Sequence, residues 1–219
     1  MSLRQVAVYG AGGFAREVAW LVQSCNVHEE LYRVVCFIDD NPATHGMLIN
    51  GVTSMSLEAA CQQFPAVAVV IGVGAPLTRQ KIAEKVTSAG LGFATIIHPR
   101  IEMSEWIEIG EGTVICAGNI LTTNITLGQQ VQINLDCTVG HDVIMDDYTT
   151  LAPGAHISGW VHFGKRVYVG TGAVILQGAQ DAPLTIGDDA VIGAGAVVTK
   201  PVPAGVTMVG IPAKPLPKA

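Results

Sequence analysis

His141 and Asp142 stand side by side in the stretch VGHDVI, residues 139–144, whose flanking six-residue units, INLDCT and MDDYTT, hold no histidine. An imidazole next to a carboxylate is equipment for moving a proton near neutral pH. The carboxylate holds the ring in orientation and strengthens it as a base. A surface histidine with no role is the plain alternative. A second group lies near the N-terminus, where Gly10, Gly12, Gly13, Phe14 and Ala15 satisfy G-x-G-x-x-A between an apolar run and a helically spaced one. Glycines there let the backbone approach a phosphate held at a helix N-terminus. Asp39 and Asp40 end the next apolar run, where an acid can accept hydrogen bonds from a ribose or a base. A ligand-free tight turn with two loop aspartates explains these residues equally well.

The element that must position His141 is a repeat. Stepping by six from Ile109 meets Ile115, Leu121, Leu127, Ile133, Val139, Met145, Leu151, Ile157, Phe163, Val169 and Ile175, all apolar. Chance gives such a run roughly one time in a thousand. The second position is often Gly, as at Gly110, Gly128, Gly140, Gly164 and Gly170. The fifth is small or β-branched, as at Thr113, Val131, Cys137, Thr149, Ala155, Val161, Val167 and Ala173. The phase slips after Ile175 and resumes at Ile186, Ile192 and Val198, so about five residues near Ala179–Pro183 leave the repeat as a loop. A period of six fits a parallel β-helix in which three short strands make one triangular coil, with the first and fifth positions pointing inward.

Three hexapeptides, eighteen residues, make one coil. Residue 159 therefore lies one coil from His141, at about 4.8 Å. The corner column reads Thr123, His141, Gly159, Gln177. A base beside an unobstructed backbone N–H suits acyl transfer from a thioester. His141 would take the proton of the acceptor, Asp142 orient the ring, and the Gly159 N–H receive the oxyanion. No metal is expected, because His156 and His162, at sixth positions of successive hexapeptides, fall on different corners from His141 and suit surface or subunit contacts.

The first half reads differently. Residues 3–9 and 33–40 and the run from Ala66 suit strands. FAREVAWLVQS, SLEAACQQF and PLTRQKIAEKVTSAG suit helices, the first with Phe14, Val18, Leu21 and Val22 on one face. Alternating strands and helices predict a parallel sheet. The fold class is thus an α/β Rossmann-like parallel-sheet domain, residues 1–97, followed by a parallel β-helix, residues 98–219. A dehydrogenase is disfavoured, since the repeat leaves no second catalytic domain for hydride chemistry.

The net charge of −6 argues against a nucleic-acid footprint. The five cysteines, at 25, 36, 61, 116 and 137, are odd in number and lack C-x-x-C spacing, which fits small buried residues in a reducing compartment. The N-terminus has no long apolar signal core, and the apolar run from Ala66 is too short to span a bilayer. The expectation is a soluble cytoplasmic protein.

GAGGFAREV, a strand ending in FIDD, the hexapeptide repeat with NLDCTVGHD, and the ending IGAGAVVTKPVPAGVTMVGIPAK together resemble the hexapeptide-repeat nucleotide-sugar acetyltransferases of bacterial glycan and O-antigen synthesis. That family includes sialic acid O-acetyltransferases and bacillosamine and perosamine N-acetyltransferases. The resemblance implies a left-handed β-helix that binds acetyl-CoA, a homotrimer, and no metal. It implies transfer of acetyl to the 4-amino group of a nucleotide-linked dideoxy sugar such as GDP-perosamine. His141, Asp142 and Gly159 match the family's base, its partner and its oxyanion donor. The Gly-rich loop (Gly10, Gly12, Gly13, Phe14), Asp39 and Asp40 would hold the sugar nucleotide. Gly172, Ala173 and Ala194 would pair with the pantetheine, and Lys200 and Lys214 would meet the phosphates of CoA. Asp142 stands where some relatives have Glu, and Thr150 where some have a second histidine. O-acetylation of a sugar or sialic acid, a dinucleotide binder and a non-catalytic β-helix scaffold are the alternatives.

Overall fold

The computed structural model describes residues 3–27 and 29–217. The chain divides into two compact units, Met1–Pro99 and Arg100–Ala219.

In the first unit, β1 (Arg4–Tyr9) leads through the Gly-rich loop into α1 (Gly13–Ser24), and β2 (Tyr32–Ile38) follows. A hairpin of β3 (Leu48–Ile49) and β4 (Val52–Met55) precedes α2 (Leu57–Gln63), β5 (Ala68–Ile71) and α3 (Pro76–Ser88). The sheet order is β3-β4-β2-β1-β5, parallel except for the β3–β4 hairpin. Val6 to Tyr9 and Val69 to Ile71 are buried, as strands covered on both faces by helices require. Helix α1 buries Ala15, Val18, Ala19, Leu21 and Val22 on one stripe. Ser56 caps α2 by accepting from the Ala59 N–H at 3.1 Å. Gly90, at φ 78°, ends α3 in the left-handed conformation that a glycine adopts without strain. The hairpin is an element that the strand and helix periodicities do not reveal. Its turn is Asn50-Gly51, at φ 48° and 83°, the pair most suited to a two-residue hairpin.

In the second unit, strands of two or three residues follow one another around three faces. One coil runs Thr138–Val139, Ile144–Met145, Thr150–Leu151. The registers Thr138↔His156, Ile144↔His162 and Thr150↔Tyr168 place the next coil eighteen residues on, in parallel. From Ile115 to Ile175 every first-position residue is buried, and so are Ile186, Ile192 and Val198. The fifth positions named above are all fully buried. Asn119, a polar residue at a fifth position, is satisfied inside: its amide gives to the Cys116 carbonyl at 2.7 Å and accepts from the Cys137 N–H at 2.8 Å.

The corners follow a rule that composition hides. The fourth residue of each hexapeptide has positive φ, at Gly112, Gly118, Asn124, Gln130, Asp136, Asp142, Tyr148, Gly154, Trp160, Arg166 and Gly172. The slip after Ile175 is a small hairpin in which Ala179 and Ala182 exchange backbone hydrogen bonds at 3.0 and 3.1 Å. It widens the next register to Val161↔Leu184, a step of twenty-three. His156 and His162 lie in strands on two different faces, not at corners, because the sixth position immediately precedes the inward first one while positions two to four make the turn. All five cysteines are free. Burial pushes the Cys36 and Cys137 thiols up to about 11, so they pack as inert small residues.

Ile133 fills one of these fully buried first positions. Ile133→Ala is expected to lower unfolding free energy by about 2–5 kcal/mol, the range for a cavity of that size, measured by urea titration. A loss under 1 kcal/mol, on the order of a surface substitution, would show that the coil interior is not what holds the unit together.

Candidate active site

The turn between Thr138–Val139 and Ile144–Met145 carries His141 and Asp142. The His141 Nδ1 lies 2.8 Å from the Asp142 Oδ2. A carboxylate only accepts, so Nδ1 donates in this bond, the tautomer in which a neutral ring has its lone pair on Nε2. The imidazole is 45% exposed and the carboxylate 23%, which leaves the ring open to a substrate and its partner more sheltered. Asp142 sits at φ 56°, a conformation that Asp tolerates better than most residues. Residue type at this corner position is therefore set partly by the turn. The hydrogen bond to His141 is what gives Asp142 a chemical part.

Gly159 lies one coil along, as the register requires. A Cβ there would stand 2.5 Å from both Cε1 and Nε2 of His141, so the ring rests directly over the glycine. The Gly159 N–H finds no acceptor among the described residues. Gly140 keeps that amide uncovered, since a Cβ on it would come within 2.7 Å of the Gly159 nitrogen. Two residues that sequence reading missed complete the corner. The Trp160 ring meets the imidazole edge-on, with centroids 6.2 Å apart. The Asn124 amide gives to the Asp142 Oδ1 at 3.4 Å. Both occupy the column of Asp142 at intervals of eighteen, which was the available signal.

In the first unit, Gly10 has φ 111°. Gly12 precedes α1, no side chain caps that helix, and its first turn has no acid, so its positive end is unshielded. A Cβ on Gly12 would meet nothing, and one on Gly13 only the tip of Arg16. Phe14 is half-buried. Two further residues, absent from the sequence reading, shape this loop. A Cβ on Gly72 would stand 2.5 Å from the Ala15 Cα, so Gly72 permits the close approach of α1. Arg79, fully buried, gives hydrogen bonds to the Val73 and Gly74 carbonyls at 2.9 and 3.0 Å and pins the turn after β5.

The two aspartates differ. Asp39 Oδ1 accepts from the Asn41 N–H at 2.8 Å, a local turn bond. Asp40 accepts from the Tyr9 hydroxyl at 2.8 Å through Oδ1 and from Lys85 at 2.7 Å through Oδ2. The Lys85 ammonium holds the Asp40 carboxyl below its ordinary range, against partial burial and with help from Tyr9. Burial, and next the bond to Asp40, push the Tyr9 phenol well above its usual value.

Of the residues expected to meet CoA, Gly172, Ala173 and Ala194 lie at another corner, whereas Lys200 follows Val198 as His141 follows Val139 and so falls in the column of His141. Gly172 is exposed, at φ 67°, and its N–H gives to the Pro153 carbonyl at 3.0 Å. Ala173 is fully buried, with its N–H bonded to the Gly170 carbonyl and its own carbonyl accepting from His156. Ala194 is exposed on the next coil, where the Gly195 N–H gives to the Thr171 carbonyl at 2.8 Å. Lys200 and Lys214 are exposed. Thr150 is buried within its strand. Within one chain this corner, between Tyr168–Val169 and Val174–Ile175, is not the corner of His141. No group of three or more His, Cys, Asp or Glu among the described residues could hold a metal ion. No helix among them is long and apolar enough to cross a membrane.

A hexapeptide β-helix with an oriented base over a bare backbone amide, joined to a Gly-loop α/β unit, defines an acyltransferase of the hexapeptide-repeat class. Residues 5–86 match the PglD N-terminal domain family. The chain is 34% identical over 211 residues to GDP-perosamine N-acetyltransferase of Escherichia coli O157:H7, covering 94% of each. WeeI from Acinetobacter baumannii AYE superposes with a TM-score of 0.89 at 38% identity, covering 97% of this chain and 100% of that one. The H141N variant of perosamine N-acetyltransferase from Caulobacter crescentus, in complex with CoA and GDP-perosamine, gives a TM-score of 0.87 at 26% identity, covering 99% of each. The chain belongs to the hexapeptide-repeat nucleotide-sugar acetyltransferase family.

Two outcomes follow from the site's geometry. Gly159→Ala should displace the imidazole and lower kcat on the order of a hundredfold, with Tm unchanged; unaltered kcat would mean that the ring does not work from this position. The second concerns Asp40. Its folded value is depressed, so its contacts stabilise at neutral pH and are lost as pH falls through that value. The Tm gap between wild type and Asp40→Asn should therefore narrow as pH is lowered from neutral, and a gap independent of pH would remove the charge from the account.

Proposed function

We propose that this protein transfers acetyl from acetyl-CoA to the 4-amino group of a nucleotide-linked dideoxy amino sugar, with GDP-perosamine the first candidate. The observation that carries the reading is the His141–Asp142 pair, 2.8 Å apart, with the ring resting over Gly159. His141 Nε2 takes a proton from the acceptor amine as its nitrogen attacks the thioester carbonyl carbon. The carbonyl oxygen gains charge and is held by the Gly159 N–H. The tetrahedral species collapses, the C–S bond breaks, and the imidazolium returns the proton to the CoA thiolate. No covalent enzyme intermediate is needed, because the thioester is already activated. Asp142 keeps the Nδ1 proton in place throughout.

The N-terminal unit holds the nucleotide. The phosphates meet the open N-terminus of α1 at Gly12 and Gly13. Asp39, whose Oδ2 is left over from its turn bond, faces the nucleoside, while Asp40 is tied to Tyr9 and Lys85. The β-helix holds acetyl-CoA. The Ala194 N–H, which has no acceptor among the described residues, serves the pantetheine, and Lys200 and Lys214 serve the phosphates.

The protein works as a homotrimer. His141 and the Gly172–Ala194 corner are separate in one chain, and a neighbouring copy brings them together around one CoA. The exposed Ile120 and Ile144, flanking the His141 corner, support an assembly that covers them. The setting is the cytoplasm, where acetyl-CoA and nucleotide sugars for O-antigen are made.

The test is release of CoA thiol from acetyl-CoA with GDP-, UDP- and dTDP-linked 4-amino sugars, for wild type and His141→Asn. Turnover with one nucleotide sugar that falls by roughly 10²–10⁴ in the variant is expected of a lost general base. Turnover that survives the substitution would refute the role of His141. Turnover only with hydroxyl acceptors would make the enzyme an O-acetyltransferase.

A further inference from the structure

The corner that carries His141 has a second feature, which the proton transfer does not use. The registers Ile107↔Ile125 and Thr126↔Ile144 extend the eighteen-residue stack back by two coils. Trp106, Asn124, Asp142 and Trp160 therefore form one column. Trp106 begins it and is 66% exposed, far more than a tryptophan is usually left. Its backbone is fixed: the N–H gives to the Ser104 Oγ at 3.2 Å, and the carbonyl accepts from the Ile125 N–H at 3.2 Å. Its ring has no ring partner among the described residues.

Trp106 borders a cavity of about 340 Å³ whose lining includes Glu105, Glu108, Asn124 and Thr126. Asn124 belongs both to this cavity and to the hydrogen bond that reaches Asp142. The cavity is thus one side chain away from the partner of the base. Two coils separate the indole from Asp142, about 10 Å, and Asn124 stands between them in the column, lining the cavity on one side and bonded to Asp142 on the other.

We propose that this cavity is the subsite for the sugar ring of the acceptor, with Trp106 as its platform. A pyranose presents an apolar C–H face and a rim of hydroxyls. An indole face takes the first, and carboxylates and an amide take the second. An amino sugar arrives from neutral solution as an ammonium ion, which the Glu105 and Glu108 carboxylates and the indole face both attract; it gives up one proton to solvent before its nitrogen attacks, and His141 takes the second. Asn124 lines the subsite and gives a hydrogen bond to Asp142, so a ring seated there is one side chain from the carboxylate bonded to His141. The inference rests on the acceptor class proposed above and adds to it the residues that select a sugar.

The experiment measures KM for the nucleotide-linked 4-amino sugar and for acetyl-CoA, together with the mass in solution by light scattering, for wild type, Trp106→Ala and Trp106→Phe. Trp106→Ala should raise the acceptor KM by about tenfold, with the acetyl-CoA KM and the mass unchanged, and Trp106→Phe should restore most of the affinity. Equal rises for both substrates, an unmoved acceptor KM, or a changed mass would overturn the subsite, the last by placing Trp106 in a subunit contact. If wild type turns over no nucleotide-linked amino sugar, the acceptor assignment fails by itself. The subsite is then decided by titrating an unlinked 4-amino-4-deoxyhexose and following tryptophan emission. A change present in wild type and lost in Trp106→Phe supports it, and the same change in both, or none in either, overturns it.

Discussion

The backbone hydrogen-bond ladder that locks successive coils eighteen residues apart is the interaction on which the rest of the β-helix depends. Successive coils exchange N–H groups and carbonyls in both directions, the Gly140 N–H giving forward to the Ile157 carbonyl and the Trp160 N–H back to the His141 carbonyl. That register aligns the inward aliphatic residues into one continuous core. It also turns sequence intervals into distances, so that side chains eighteen apart become neighbours at about 4.8 Å. A slip of one residue would exchange inward and outward side chains along the coil and separate His141 from Gly159.

The site follows from that register with few additions. Position three of the hexapeptide places a side chain at a corner, and position four bends back through positive φ. His141 and Asp142 occupy those two positions, so the turn itself brings the ring and the carboxylate to 2.8 Å. Gly159 is required twice: its N–H stays off the ladder, and its missing Cβ leaves the space that the imidazole fills. The structure thus brings together an imidazole, a carboxylate bonded to it and an unbonded backbone N–H from elements that every coil possesses. Only the residue types at one corner distinguish this coil from its neighbours.

The N-terminal unit rests on a different constraint, the close approach of α1 to the sheet. A Cβ on Gly72 would collide with Ala15, and one on Gly10, which has φ 111°, would crowd the Gly72 carbonyl at 3.2 Å. This is the physical content of G-x-G-x-x-A here, and it points the uncapped start of α1 into the open. The pair Asp39-Asp40 divides its work on the same principle of local geometry. One carboxylate closes a turn, and the other is fixed by a phenol and an ammonium from elements distant in sequence.

Much of this was legible in the sequence, because the β-helix has a strict period and its inward positions tolerate only apolar or small residues. The first and fifth positions, the five-residue loop, the alternation of strands and helices, and the eighteen-residue pairing of His141 with Gly159 can all be read from spacing. The Asn50-Gly51 hairpin was written in its turn residues, although its strands are too short to show a period. What spacing does not carry is which contacts a side chain makes once it reaches its place. Left-handed backbone at position four is hidden because Gly, Asn, Asp, Gln, Tyr, Trp and Arg all occupy it. The strand placement of His156 and His162, the binding of Asp40 by Tyr9 and Lys85, and the exposed indole of Trp106 beside a cavity were decided by the tertiary structure alone. Periodicity fixes where a backbone goes, whereas a polar side chain settles on partners that packing brings from elsewhere in the chain.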